Sequence, residues 1–286
     1  MVDILACYAF KGFAMNESIL ARIKTLPPLP ETVSKIQQIC ADPESSIGDL
    51  VKIVEKDPMI TANLLKVANS PFYGFSREIT TVSQAISLFG MATVKGLALS
   101  GAVKEILGMD LQAYGITPNA FADISGLQNA LMQTWYVKID RSKMDILSVA
   151  SFLQESGKIV ISQALVKEGK AKEFKHEVEA KQKTLSDIEK EFVGETTASV
   201  TAAVFEHWRF EEHLIDAIRY SDDPMSAPED VAAYAKALAV AKIALSPLDT
   251  FSEEHTKEAV SKAFTFGLDQ AIFEESLMTL KSRAGF

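Results

Sequence analysis

The sequence predicts an all-α fold, a compact multi-helix domain, and three observations carry that prediction. Apolar residues recur at helical spacing along most of the chain. Prolines and glycines punctuate those runs where helices start and stop. No pair of alternating apolar and polar segments is joined by a hairpin turn.

Taken in chain order, Pro30-Glu31-Thr32 opens a helix whose apolar positions are Val33, Ile36 and Ile39/Cys40. Ser46-x-x-Asp49 is a capping-box variant ahead of Ile47, Leu50, Val51 and Val54. Asp57-Pro58 supplies an N-cap and a first-turn proline before Ile60, Leu64, Leu65 and Val67. Thr81 starts a helix that turns Val82, Ala85, Ile86 and Phe89 inward and stops at Gly90. Helical patterns continue over Val94–Ile106, Phe121–Ile139, Ile146–Leu153, Ile159–Val166, Ala198–Trp208, Leu214–Tyr220, Val231–Leu245, Glu254–Phe266 and Leu268–Leu280. Lys167 to Lys183 mixes charges of both signs and predicts a solvated helix face. Ser221-Asp222-Asp223-Pro224 with Ser226-Ala227-Pro228 is a breaker cluster. It divides a main domain, 15–224, from a C-terminal helical extension, 225–286, packed on the same body. Met1 to Ala14 reads as a disordered leader or as a start codon misassigned upstream of Met15.

Composition narrows the function classes. With 286 residues, 48% hydrophobic and 23% charged, the chain can bury a full core, and wholesale disorder is excluded. The net charge of −9 and a pI near 5.1 deny it the basic footprint of a nucleic-acid binder. A helix-turn-helix can be drawn through Ile86–Leu97, yet Lys95 is its only cation. Two cysteines, Cys7 and Cys40, make no disulfide framework and suit a reducing cytoplasm. No apolar run of roughly 18 residues predicts a membrane span.

Familiar chemistry is missing. No two glycines are closer than Gly96 and Gly101, so phosphate-cradling loops have no glycine pattern to build on. The four histidines are His176, His207, His213 and His255; HExxH is absent, and His207 and His213 are placed on different faces of one helix. These histidines read as surface or structural groups. Two segments have distinctive shape. Leu26-Pro27-Pro28-Leu29-Pro30 is a rigid connector that aims the following helix. In Asn69-Ser70-Pro71-Phe72-Tyr73-Gly74-Phe75 the three rings either plug the core beneath a fixed loop or offer Phe72 or Tyr73 to a contact surface.

These segments together resemble the HDOD family of bacterial signalling domains. The resemblance runs through Leu26–Pro30, Asp57-Pro58, Leu64-Leu65-Lys66-Val67-Ala68-Asn69-Ser70, Pro71-Phe72-Tyr73-Gly74, Ile79 to Ile86 and Leu88-Phe89-Gly90, in that order. It covers roughly Ser18 to Pro224. The family is related to HD-type metal-dependent phosphohydrolases, including enzymes that cleave cyclic di-GMP. The resemblance implies that Gln154-Glu155 stand where those enzymes carry their His-Asp pair, with Gly157 and Lys158 fitting the positions after that pair. It implies further ligand positions near Ser125, Thr197, Tyr220-Ser221 and Lys242. A neutral amide is a poor substitute for imidazole at a transition metal. The expectation is therefore a degenerate site with no catalytic residue, no metal and no cofactor. The implied module is regulatory and cytoplasmic and works through protein contacts. Its implied partners are kinases, cyclic-dinucleotide enzymes or motility and stress components, with a homo-dimer open, and neither nucleic acid nor membrane. The motif loop Asn69, Ser70, Pro71, Phe72, Tyr73 and Gly74 is the candidate contact surface. A residual phosphohydrolase and a nucleotide or cyclic-dinucleotide sensor remain the alternatives.

Overall fold

The computed structural model describes residues 15–286, and the leader expected over Met1–Ala14 lies outside the described residues. The described chain is helical throughout, with no strand. Four short helices come first: α1 (Glu17–Lys24), α2 (Glu31–Ala41), α3 (Ile47–Val54) and α4 (Pro58–Ala68). The expected start signals operate: Ser46 and Asp49 close a reciprocal capping box, and the Asp57 carboxylate accepts from the backbone of Met59 and Ile60. Helices α2, α3 and α4 pack on α5 (Val82–Leu107).

The helix begun after Thr81 breaks at Gly90, as expected, and a second helix follows without an intervening loop, so that α5 is two helices across a kink. The Gly90 φ of 77° and ψ of 164° lie in a region open in practice to glycine, and helical geometry resumes at once after it. By length and composition α5 could cross a membrane, but 56% of its most apolar window is buried within the protein. Beyond the kink, Gly96 lets α5 lie directly on α7 (Met144–Leu153), where an added Cβ would meet Ser148 O and Val149 Cα at 2.9 Å.

The centre is built by α6 (Pro118–Thr134), α7, α8 (Gly157–Lys167) and α11 (Thr197–His207), with α12 (Glu212–Arg219) and α13 (Glu229–Ala244) behind. The helix expected over Phe121–Ile139 stops at Thr134. Trp135 caps it with its ring fully buried, and a 3-10 turn, Tyr136–Lys138, follows. The charged run Lys167–Lys183 keeps its charges at the surface as expected and contributes to α9 (Ala171–Ala180), whose inner face buries Phe174 and Val178; α10 (Leu185–Val193) follows and buries Ile188 and Val193. His207 and His213 fall on successive helices, because Arg209 at φ 57° breaks the chain between them. Helices α14 (Glu253–Thr265) and α15 (Gln270–Ala284) pack back on α13 and α6 respectively.

The proline connector is fixed at its carbonyls. His207 Nε2 lies 3.2 Å from Leu26 O, and Trp208 Nε1 donates to Pro27 O at 2.9 Å. Leu26 itself is buried.

Candidate functional site: a buried polar centre

Between α7 and α8 the chain makes a tight turn, Gln154-Glu155-Ser156, entirely inside the protein. Gly157 permits this. A Cβ there would come within 2.4 Å of Thr197 O and 2.8 Å of Thr201 Oγ1, so α8 and α11 touch backbone to side chain. Gly157 N donates to Thr201 Oγ1 at 2.8 Å, and that hydroxyl donates to Thr197 O at 2.7 Å. The turn is thereby locked onto α11, and it places Glu155 against its neighbours.

Glu155 is bonded to Lys158, one turn along, with both side chains 3% exposed. Its other oxygen accepts from Gln128 Nε2 at 3.2 Å. Gln128 also donates to Leu245 O at 3.1 Å and accepts from Gln154 Nε2 at 2.8 Å. These contacts orient both amides and leave Gln154 Oε1 buried without a hydrogen-bond partner. Lys158 Nζ continues the chain to Thr197 Oγ1 at 3.2 Å. Thr197 donates through Oγ1 and N to Glu189, each at 2.6 Å, and Tyr114 OH donates to the same carboxylate at 2.8 Å. Beside this chain, Lys242 binds Asp222 and reaches Ser221 Oγ at 3.4 Å.

The charges are interleaved. Burial would raise the Glu155 carboxyl, but Lys158 and then Lys242 outweigh it and hold the group below its ordinary 4.5. Asp222 is likewise pushed up by burial and pulled lower overall by Lys242. Lys242 is raised: its desolvation is outweighed by Asp222 and Glu155. Glu189 goes the other way, raised chiefly by burial, with Lys158 and Thr197 only partly opposing. Three carboxylates therefore surround two ammonium groups, with Glu155, Lys158 and Glu189 buried and Lys242 and Asp222 half-buried. Among the described residues no group of three or more His, Cys, Asp or Glu side chains is placed to hold a metal ion.

A sequence model of the HDOD domain matches residues 26–224, most of the chain. The protein belongs to the HDOD family. A Campylobacter jejuni structure described as a virulence factor is 30% identical, covering 94% of this chain and 98% of its own, with a TM-score of 0.57. A Marinobacter aquaeolei structure provisionally described as a signal transduction protein is 24% identical, with a TM-score of 0.69. That alignment covers 98% of this chain and 62% of that one. An uncharacterized Treponema pallidum protein is 24% identical over 244 residues, 81% of this chain; the HDOD chain spans only 44% of that relative's length.

The positions that the HDOD resemblance singles out converge only in part. Gln154, Glu155, Thr197, Ser221 and Lys242 all join or border the polar centre. Ser125 does not: its hydroxyl turns back to Phe121 O at 3.0 Å within its own helix. Gln128, Glu189, Asp222 and Tyr114 complete the centre without having been singled out. Glu189 follows the buried Ile188 in a charge-rich helix, so only its burial distinguishes it from the acids around it.

The motif loop of the HDOD domain is held from both sides. Asn69 clamps it, donating to Ile79 O and accepting from Ile79 N, both at 2.8 Å. Ser70 caps the 3-10 turn Pro71–Tyr73, and Gly74 closes it at φ 65°. Tyr73 points inward: its hydroxyl donates to Asn129 Oδ1 at 3.0 Å, and its ring meets Phe89 edge-on at 4.6 Å. Phe72 is half-buried with its ring against Gly126. Tyr73 is thus taken into the core, and the exposed residues of the loop are Asn69, Pro71 and Gly74. Burial pushes the Cys40 thiol up to about 11, and it donates to Met91 O at 3.7 Å.

Proposed function

We propose that this HDOD chain is a non-catalytic, cytoplasmic regulatory module of bacterial signalling that acts by binding other signalling proteins. The observation that carries the reading is the ion pair of Lys158 with Glu155, supported by that of Lys242 with Asp222. A phosphohydrolase of the HD type needs carboxylates and imidazoles converging on a metal, which activates water and neutralises the phosphoryl charge. In this centre Glu155 and Asp222 are already committed to the chain's own ammonium groups, and Glu189 accepts from Thr197 and Tyr114. Gln154 offers a neutral amide, and the remaining neighbours are hydroxyls of Thr197 and Ser221. The residues present do not fit a divalent metal.

The discriminating experiment is metal analysis of the purified chain, with hydrolysis assays on cyclic di-GMP and nucleoside triphosphates in added Mn²⁺ or Fe²⁺. The expected result is neither stoichiometric metal nor turnover. Stoichiometric metal together with turnover lost in Glu155→Ala would replace this reading with a phosphohydrolase.

A further inference from the structure

Lys158 and Lys242 each hold a carboxylate, but a third lysine partly withdrawn from solvent does not. Lys104 lies near the C-terminal end of α5 and is half-buried. Its side chain reaches across to α6, where Nζ stands 5.4 Å from the centre of the Phe121 ring. That ring is buried and belongs to the first turn of α6, the positive end of the helix dipole. Among the described residues Lys104 Nζ makes no ion pair and donates no hydrogen bond. Asp123, exposed on α6, is the charged group that acts on it, and it does so only through space. An aromatic face offers the ammonium no acceptor for its three protons, and a helix N-terminus disfavours positive charge. The seat therefore favours the neutral amine. Burial pushes the Lys104 ammonium down to about 8, with Asp123 only partly opposing. Lys181, Lys183 and Lys242, each bonded to a carboxylate, are raised instead. Lys104 is not sealed in, since Glu105 beside it and Pro118 and Asn119 in the first turn of α6 are exposed.

We propose that Lys104 is a covalent modification site, a nucleophilic lysine that takes the acyl group of an acyl phosphate. The neutral Nζ attacks the acyl carbon, and an N–C bond forms as the C–O bond to phosphate breaks. The phosphate leaves with the bonding pair, and the proton displaced from nitrogen passes to water. The product is an uncharged amide, so Phe121 loses its cation and Asp123 loses the opposite charge that acts on it. At about pH 7.5 a solvated lysine is neutral in about one molecule per thousand, whereas Lys104 is neutral in about a quarter. A less basic amine is also a weaker nucleophile, as it is for thiols, and this takes back part of the gain. About tenfold remains. The inference goes beyond the protein-binding reading and does not depend on it.

The test uses the full chain and acetyl phosphate, with acylation at each lysine followed by peptide mass spectrometry at low conversion. Lys104 is expected to react about tenfold faster than the exposed Lys66 and Lys172 at about pH 7.5. Its rate is expected to level off above about pH 8, while theirs keep climbing. In concentrated urea the advantage vanishes, because it comes from the fold and not from the neighbouring sequence. Equal or slower reaction at Lys104 overturns the proposal. So does a rate that climbs in parallel with the other two, or an advantage that survives in urea. No variant has to fold for any of these readings. The metal and hydrolysis assays are independent of them, so the two readings fail separately.

Discussion

Lys158 neutralises Glu155 across a single helical turn, and neither side chain reaches solvent. A buried pair of this kind is expensive to break from one side, because the survivor is left charged in the core. Lys158→Met is therefore expected to lower unfolding free energy by about 3–5 kcal/mol. Glu155→Gln/Lys158→Met is expected to cost much less than the sum of its two single substitutions. Urea unfolding of the four chains gives the coupling directly, and additive losses would show that the pair does not act as one unit.

The same centre sets a pH dependence with two opposed limbs. Glu155 has its folded pKa below the ordinary 4.5, so its contribution is present above 4.5 and is lost as pH falls through the depressed value. Asp222 behaves alike relative to its ordinary 3.8. Glu189 is raised, so the folded state holds its proton longer than the unfolded chain does. Stability contributed by that proton is present below 4.5 and lost as pH rises through the folded value. Glu189→Gln is expected to abolish the decline above 4.5 while leaving the acid limb in place. Urea midpoints measured across pH for both chains check this, and an unchanged upper limb would refute it.

Much of this architecture is legible in the sequence because it is local. Caps at Ser46 and Asp57 and the stripes of apolar residues are matters of spacing, and the structure puts helices at those signals. Tertiary demands are not legible in that way. The Trp135 ring at the end of α6 is taken into the core, and helical geometry resumes directly after Gly90, where the apolar pattern begins only at Val94. The polar centre is half readable. Gln154 and Glu155 follow from the family motif, whereas Glu189 and Asp222 come from remote segments whose place in the centre no local pattern announces.

Gly157 is fixed by proximity. A methyl group there would lie 2.4 Å from Thr197 O, a backbone atom that cannot swing aside. Gly157→Ala should force α8 away from α11, stretching the bonds that hold Gly157 N to Thr201 and Lys158 to Thr197. Overpacking of this sort costs about 1–3 kcal/mol. A thermal melt and the peptide-region spectrum would report a lower midpoint with helix content retained. A midpoint equal to that of the unaltered chain would mean that the two helices are not in contact there.

Gly90 makes the opposite case. Nothing lies within 4 Å of an added Cβ, so Gly90→Ala meets no clash, only a backbone conformation that L residues rarely adopt. The strain of holding alanine there is of order 1–3 kcal/mol. The chain has two ways to answer it: keep the kink and lose that stability, or straighten α5 and pull Phe89 off Tyr73 and Phe75. Burial of Phe89 and its contact with the buried Tyr73 ring favour the first. The expected outcome is thus a lower urea midpoint with the Tyr73 environment unchanged in near-ultraviolet circular dichroism. A changed aromatic signal would show that the kink is held by glycine alone and not by the rings around it.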